Sequence, residues 1–180
     1  MFAREGYDAV NSNQIARAAG IGVGTFYRHF EDKSALIEAI RLQAWEELGQ
    51  SLPGPHVTAP REAAARATSA VVDYAVRQPD RFRVAFGNAP RGRLALSLRP
   101  LERQLREFAS RGQLPPALAP AVAARAWWSL VCATTLWWLS ERDPLPRTAL
   151  VRSLLLLHPL VAAAPPEPAP PPRPQPPPMA

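Results

Sequence analysis

Apolar residues recur at helical spacing along most of the 180-residue chain, and no stretch shows convincing period-two alternation of a strand. Ile15, Ala18 and Ala19 make one narrow apolar face just after Asn11 and Ser12, whose side-chain oxygens suit a helix start. Gly20 follows where a helix commonly closes in the left-handed conformation. The spacing predicts a second helix from about Gly22, with Val23, Phe26 and Phe30 on its apolar side. Thr25, Arg28 and His29 lie opposite, with Tyr27 at the flank. Asp32 offers the N-cap of a third helix, through Leu36, Ile37, Ile40 and Trp45 to about Gly49. Met1–Glu5 reads as a helix end closed by Gly6.

Three prolines within residues 51–60 mark a boundary. Beyond it the pattern predicts helices from Pro60 to about Gln78, Arg81–Phe86 stopping at Gly87, and Arg91–Arg111 broken or kinked at Pro100. Gly112 closes the last of these. A long apolar helix over Ala121–Arg142 and a final one over Arg147–Leu157 follow. The expected fold class is all-α. Ten of the residues 165–180 are proline, so this tail is expected to be disordered, with polyproline-II conformations and no core.

Composition narrows the picture only in places. A hydrophobic fraction of 47% suits a soluble globule, and the single cysteine excludes an internal disulfide, as expected of a cytoplasmic protein. The N-terminus lacks the pattern of a signal peptide, and the longest uncharged run, Ala126–Ser140, is shorter than the ~20 residues that span a bilayer. The net charge is +6, yet residues 1–50 hold five Lys/Arg against seven Asp/Glu. Basicity therefore says nothing for nucleic-acid binding by the first module. Any phosphate contacts there must come from helix N-termini, hydroxyls and a few cations.

Candidate chemistry is sparse. The glycines of Gly20–Thr25 follow a helix, whereas a dinucleotide loop needs a preceding strand, and no Walker-type lysine follows. His29, His56 and His158 are dispersed without metal-ligand spacing, and no nucleophile elbow occurs. Neither an enzyme, a metal site nor a cofactor is expected.

What stands out is the pair of short helices on a glycine turn within Asn11–Lys33, the geometry of a helix–turn–helix that enters a DNA major groove. These residues resemble the DNA-binding domain of the tetracycline-repressor (TetR/AcrR) family of bacterial regulators. The resemblance runs through Phe2, Gly6–Tyr7, Ile15–Ala16, Ala19–Gly20, Gly24–Phe30, Lys33 and Leu36. It implies that Val23, Gly24 and Thr25 face bases at the start of a recognition helix, with Arg28 on the same polar side. It also implies that Tyr27, His29 and Lys33 hold phosphates, and that Ser12 and Asn13 contact the DNA backbone. Ile15, Ala19, Phe26 and Phe30 are expected in the core. The family pattern places Ser or Thr where Gly22 stands, and about a dozen residues ahead of Met1, so either the chain start is misassigned or the first helix is truncated.

The resemblance further implies residues 1–50 as a DNA-binding module with an incomplete first helix, 60–164 as a helical effector-binding and dimerisation domain, and 165–180 as the tail. Four tryptophans crowd the long apolar helix: Trp127 and Trp138 share a face, while Trp128 and Trp137 point to nearly opposite sides. Core packing is the first expectation for each. Beside it, Tyr74, Phe82, Phe86, Trp127 and Trp128 are candidates to line an effector pocket, and other tryptophans a homodimer seam. Because arginine exceeds acid over residues 61–111, the effector is expected to be a neutral or anionic apolar molecule. The resulting expectation is a ligand-responsive regulator, a repressor, binding a pseudo-palindromic double-stranded DNA operator as a homodimer without a membrane partner. The alternative is a helical dimerisation or small-molecule-binding protein whose truncated module no longer binds DNA.

Overall fold

The computed structural model describes residues 2, 6, 9–54, 57–87 and 98–158. Among them it holds eight helices and no strand: α1 (Ser12–Ala18), α2 (Val23–His29), α3 (Lys33–Gly49), α4 (Pro60–Arg77), α5 (Pro79–Phe86), α6 (Arg99–Ser110), α7 (Pro120–Trp138) and α8 (Arg147–Leu156). The predicted tail, 165–180, lies outside the described residues.

Local chemistry explains the first three helices. Asn11 and Gln14 make a reciprocal capping box at the start of α1, each side chain accepting the other's backbone N–H at 2.8–2.9 Å. Gly20, at φ +69°, ends that helix. Its own N–H reaches the Arg17 carbonyl and the Ile21 N–H reaches Ala16, both Schellman bonds. Gly22 begins α2 with no side-chain cap, as its missing hydroxyl dictates. Asp32 caps α3 by accepting the Ala35 N–H at 2.8 Å.

The first two helices pack on each other, and Val10, Ala16, Phe26 and Ile37 are buried in the module. The Phe26 ring meets Phe30 and, edge-on, Tyr27. By contrast, the far half of α3 enters the main core. There Ala44 and Leu48 join Val71 and Val72 of α4, Phe82 and Phe86 of α5, Trp128 and Val131 of α7, and Leu150 and Leu154 of α8. A smaller core gathers Ala63, Ala64, Leu105, Phe108 and Ala124 where α4, α6 and α7 meet. One helix thus carries the turn module at its start and is rooted in the core at its end.

The described part of the 91–111 helix runs from Arg99 to Ser110, with Pro100 in its first turn. That position suits a residue without an N–H. Residues 91–97 lie outside the described residues. By contrast, α7 stops at Trp138, not Arg142. The Ser140 hydroxyl donates to the Leu136 carbonyl, and Trp138 Nε1 donates to the Leu145 carbonyl, so the chain turns back there.

Candidate nucleic-acid interface and ligand cavities

Along α2, Val23, Gly24, Tyr27, Arg28 and His29 are exposed, while Phe26 fills the core beneath them. Val23 and Tyr27 lie four residues apart on one side of the helix, and Tyr27 keeps 53% of its surface open. Thr25 is half-buried one turn from Gly22, whose carbonyl accepts its N–H at 2.9 Å. At the start of α1, Ser12 is half-buried and Asn13 exposed. Lys33 opens α3, but its ammonium turns inward and donates to the Val10 carbonyl at 3.2 Å. It ties the chain before α1 to the start of α3, a structural role the sequence pattern did not indicate. Such a module presents one short polar helix to solvent and anchors it from behind by a single aromatic side chain.

The anchor continues through α3. Glu47 accepts from the Tyr74 hydroxyl at 3.0 Å, from Arg81 and from Gln43, joining α3 to α4 and α5. The Arg81 bonds, followed by that from Tyr74, hold the Glu47 carboxyl below its ordinary range. Burial, together with that carboxylate, pushes the Tyr74 phenol up to about 12. One turn and a half earlier on α3, Arg41 donates to the Ala85 carbonyl at 3.0 Å. These bonds fix the angle at which α3 leaves the core.

Two openings flank that helix. A cavity of about 610 Å³ lies between the end of α3, α4, α6 and α7, with Leu42, Trp45, Leu98, Leu101, Trp127 and Trp128 among its walls. A cleft of about 930 Å³ lies on the other side, between α3, α5 and α7, and reaches back to the end of α2. Of the aromatic candidates, Trp127 and Trp128 line the cavity, and Phe86 and Trp128 line the cleft. Tyr74 and Phe82 line neither; they pack within the core. Trp45 lines both, and sequence reasoning missed it, because its indole meets Trp128 only through tertiary packing.

Part of the arginine excess is taken up by pairing. Arg66 pairs with Glu62, Arg81 with Glu47, and Arg83 with Asp80 and the Leu139 carbonyl. Among the described residues of 61–111, Arg103 borders the cavity, which Glu46 and Glu107 also line. Three arginines of this stretch are thus committed to ion pairs away from the cavity. Cys132 is buried at the cleft, and burial pushes its thiol well up. Among the described residues no group of His, Cys, Asp or Glu is placed to hold a metal, and no helix is long and apolar enough to cross a membrane.

An exposed second helix on a glycine turn, carried by a helix rooted in an all-α body, defines a helix–turn–helix protein. Residues 1–40 match the family model of bacterial regulatory proteins, tetR family. An HTH-type transcriptional regulator of Staphylococcus aureus is 53% identical over 36 residues, 20% of this chain and 20% of that protein, so the match spans about a fifth of that relative. The fold extends the likeness. A bacterial regulatory protein in the tetR family from Rhodococcus RHA1 superposes with a TM-score of 0.70 at 19% identity, covering 91% of each chain. AibR, solved in complex with isovaleryl coenzyme A and operator DNA, gives 0.66 at 14% identity over 88% of this chain and 92% of its own. The first 40 residues of the chain are thus similar to the tetR family of bacterial regulatory proteins, and the fold as a whole is shared with solved proteins of that description.

Proposed function

We propose that this chain is a ligand-responsive transcription regulator, acting as a repressor, that binds a pseudo-palindromic operator as a homodimer. The observation that carries the reading is α2: a short helix whose exposed side holds Val23, Gly24, Tyr27 and Arg28 above a buried Phe26. That side is what a recognition helix offers to base edges, with Thr25 near its start. Tyr27, Arg28 and His29 supply donors for phosphates, as do Ser12 and Asn13 at the start of α1. Residues 1–50 form the DNA-binding unit in this reading, with α3 shared between it and the helices that follow.

Dimerisation is supported by α7. Val122, Ala126, Ser129, Ala133 and Trp137 are exposed at spacings of three and four, a stripe of small residues between two large apolar ends. Trp137 leaves 51% of its surface open and Val122 61%. Near the end of α8, Leu156 and Leu157 are exposed as well. A second copy related by a two-fold axis would cover this surface and place two α2 helices for two half-sites.

The cavity beside Trp127 and Trp128 supports an effector. Its volume suits a small molecule, and Leu42 and Trp45 bring α3 into its wall. A ligand that prefers one setting of α3 shifts the equilibrium between spacings of the two modules by the difference in its affinities. AibR's complex with an acyl-coenzyme A and operator DNA is a precedent in this fold. The test is selection from random DNA with the full chain, followed by footprinting. An enriched inverted repeat protected over two half-sites is the expected result. No enrichment would overturn the reading in favour of a helical ligand-binding or dimerisation protein with an inactive module.

A further inference from the structure

Helix α6 carries a row of cations on its outer side. Arg99, Arg103 and Arg106 stand at i, i+4 and i+7, a ridge about 10 Å long at the helical rise. All three are exposed, and among the described residues none has an ion-pair or hydrogen-bond partner. Glu102, the acid at the flank of the row, is drawn off by Arg125 of α7 at 2.8 Å. The opposite side roots the helix, with Leu105 and Phe108 buried against Ala63, Ala64 and Ala124. The three guanidinium groups therefore stand on a fixed frame.

Helix stability does not account for the row. Arg99 opens α6, at the positive end of the helix dipole, where a cation is unfavourable. Like charges a turn apart repel as well. Such a ridge suits a surface that brings its own carboxylates, because each guanidinium fork can hold one carboxylate through two hydrogen bonds. Two other polyanions fit less well. A bilayer gains little, since α6 exposes no large apolar side chain to enter it. A continuous phosphate backbone meets the exposed carboxylate of Glu107 beside the row. The row is also remote from α2: Arg103 shares a cavity wall with Gly49 at the end of α3, roughly 25 Å of helix from its start. We propose that the arginine row of α6 docks an acidic helix of a partner protein, whose carboxylates at matching spacing meet Arg99, Arg103 and Arg106. The row lies on a different helix from the α7 stripe, and the contact requires neither DNA nor effector.

Two fluorescein-labelled, alanine-based helical peptides of identical composition test this. One carries three glutamates at i, i+4 and i+7, and the other spreads them around the helix. Fluorescence anisotropy with the full chain, without DNA and at low salt, should show saturable binding of the first, one per chain. The second should bind about 5-fold more weakly, since only one of its carboxylates can reach the row at a time. Arg99→Gln together with Arg106→Gln, neither of which borders the cavity, should weaken the first peptide about 5-fold. The Tm of that variant should be unchanged or higher, because the charges removed have no partner in the fold. Arg61→Gln together with Arg152→Gln, an equal loss of charge elsewhere, should change binding less than about 2-fold. Equal affinity for the two peptides overturns the proposal, as do equal effects of the two double variants or an absence of saturable binding. Loss on Arg103→Gln without loss in the Arg99 and Arg106 variant would place the peptide at the cavity mouth and also overturn it. So would a random-sequence duplex or phosphatidylglycerol vesicles that bind through Arg99 and Arg106 more tightly than the peptide. Because DNA is absent from the main titration, failure here leaves the regulator reading standing, and failure of operator selection leaves the row standing.

Discussion

The indole of Trp45 lies against that of Trp128, with ring centres 4.4 Å apart and planes 30° from parallel. One belongs to the helix that carries the turn module, the other to the apolar α7, and both border the cavity and the cleft. An offset aromatic pair contributes ~0.5–1.5 kcal/mol beyond its buried area and tolerates only a few relative orientations. It is a contact that couples the setting of α3 to that of α7. Glu47 with Arg81 and Tyr74, farther along the same helix, restrains that setting as well.

For the interface, Thr25→Ala is expected to reduce discrimination between a selected operator and random DNA by about 10-fold, since a base-edge contact contributes ~1–3 kcal/mol. Lys33→Ala should act twice. Loss of its bond to the Val10 carbonyl lowers stability by about 1 kcal/mol, and loss of a cation flattens the salt dependence of DNA binding by about one unit of slope. Fluorescence anisotropy across a salt series, beside thermal melts, separates the two. A lower Tm with an unchanged slope would make Lys33 purely structural.

At Gly22 the helix start is uncapped, and a Cβ there would meet only Thr25 Oγ1, at an ordinary 3.8 Å. Gly22→Ser should therefore supply a cap and stiffen the unfolded chain, together raising stability by ~0.5–1 kcal/mol. Thermal melting should show a Tm higher by a few degrees. A lower Tm would mean that the α2 start needs the bare glycine.

Ala126→Glu should convert a dimer into a monomer, because it places a carboxylate and its twin on the small-residue stripe of α7. Light scattering at micromolar concentration, with circular dichroism to show retained helix, is the measurement. Wild-type protein already monomeric under those conditions would remove the homodimer from the proposal.

His158 gives the fold an acid-sensitive point. It is buried beside the Trp127 ring, and burial lowers its pKa from 6.5 to about 4. Above pH 6.5 it is neutral folded or unfolded and contributes no slope. As pH falls, the unfolded chain takes up the proton first, so stability drops from pH 6.5 and the loss is complete near 4. Glu47, whose ordinary value is 4.5 and is lowered here, contributes only below its ordinary value, at the acid end of that window. Melts across about pH 7 to 5 should show a slope below pH 6.5 in wild type and a flatter one in His158→Phe. Equal slopes would show that His158 does not carry it.

Much of the fold was legible because its determinants are local. The Asn11–Gln14 box, the left-handed Gly20 and the Asp32 cap each act within five residues, so the three helices of the module could be read with near-correct ends. Pro100 shows where local chemistry stops deciding: proline is equally compatible with breaking a helix and with starting one, and α6 places it in a first turn. The end of α7 depended on Trp138 finding the Leu145 carbonyl across a turn, which spacing does not encode.

By itself the sequence determined the all-α class, the helix–turn–helix and the polar side of α2, because periodicity and capping are properties of neighbours along the chain. Tertiary structure alone decided which aromatics are walls and which are core. Tyr74 and Phe82 turned inward, Trp45 came forward, and Arg66, Arg81 and Arg83 found carboxylates away from the cavity. The physical reason is that a cavity and its charge are made by side chains from four helices far apart in sequence. Their signs cancel or survive according to pairings that form only when those helices pack.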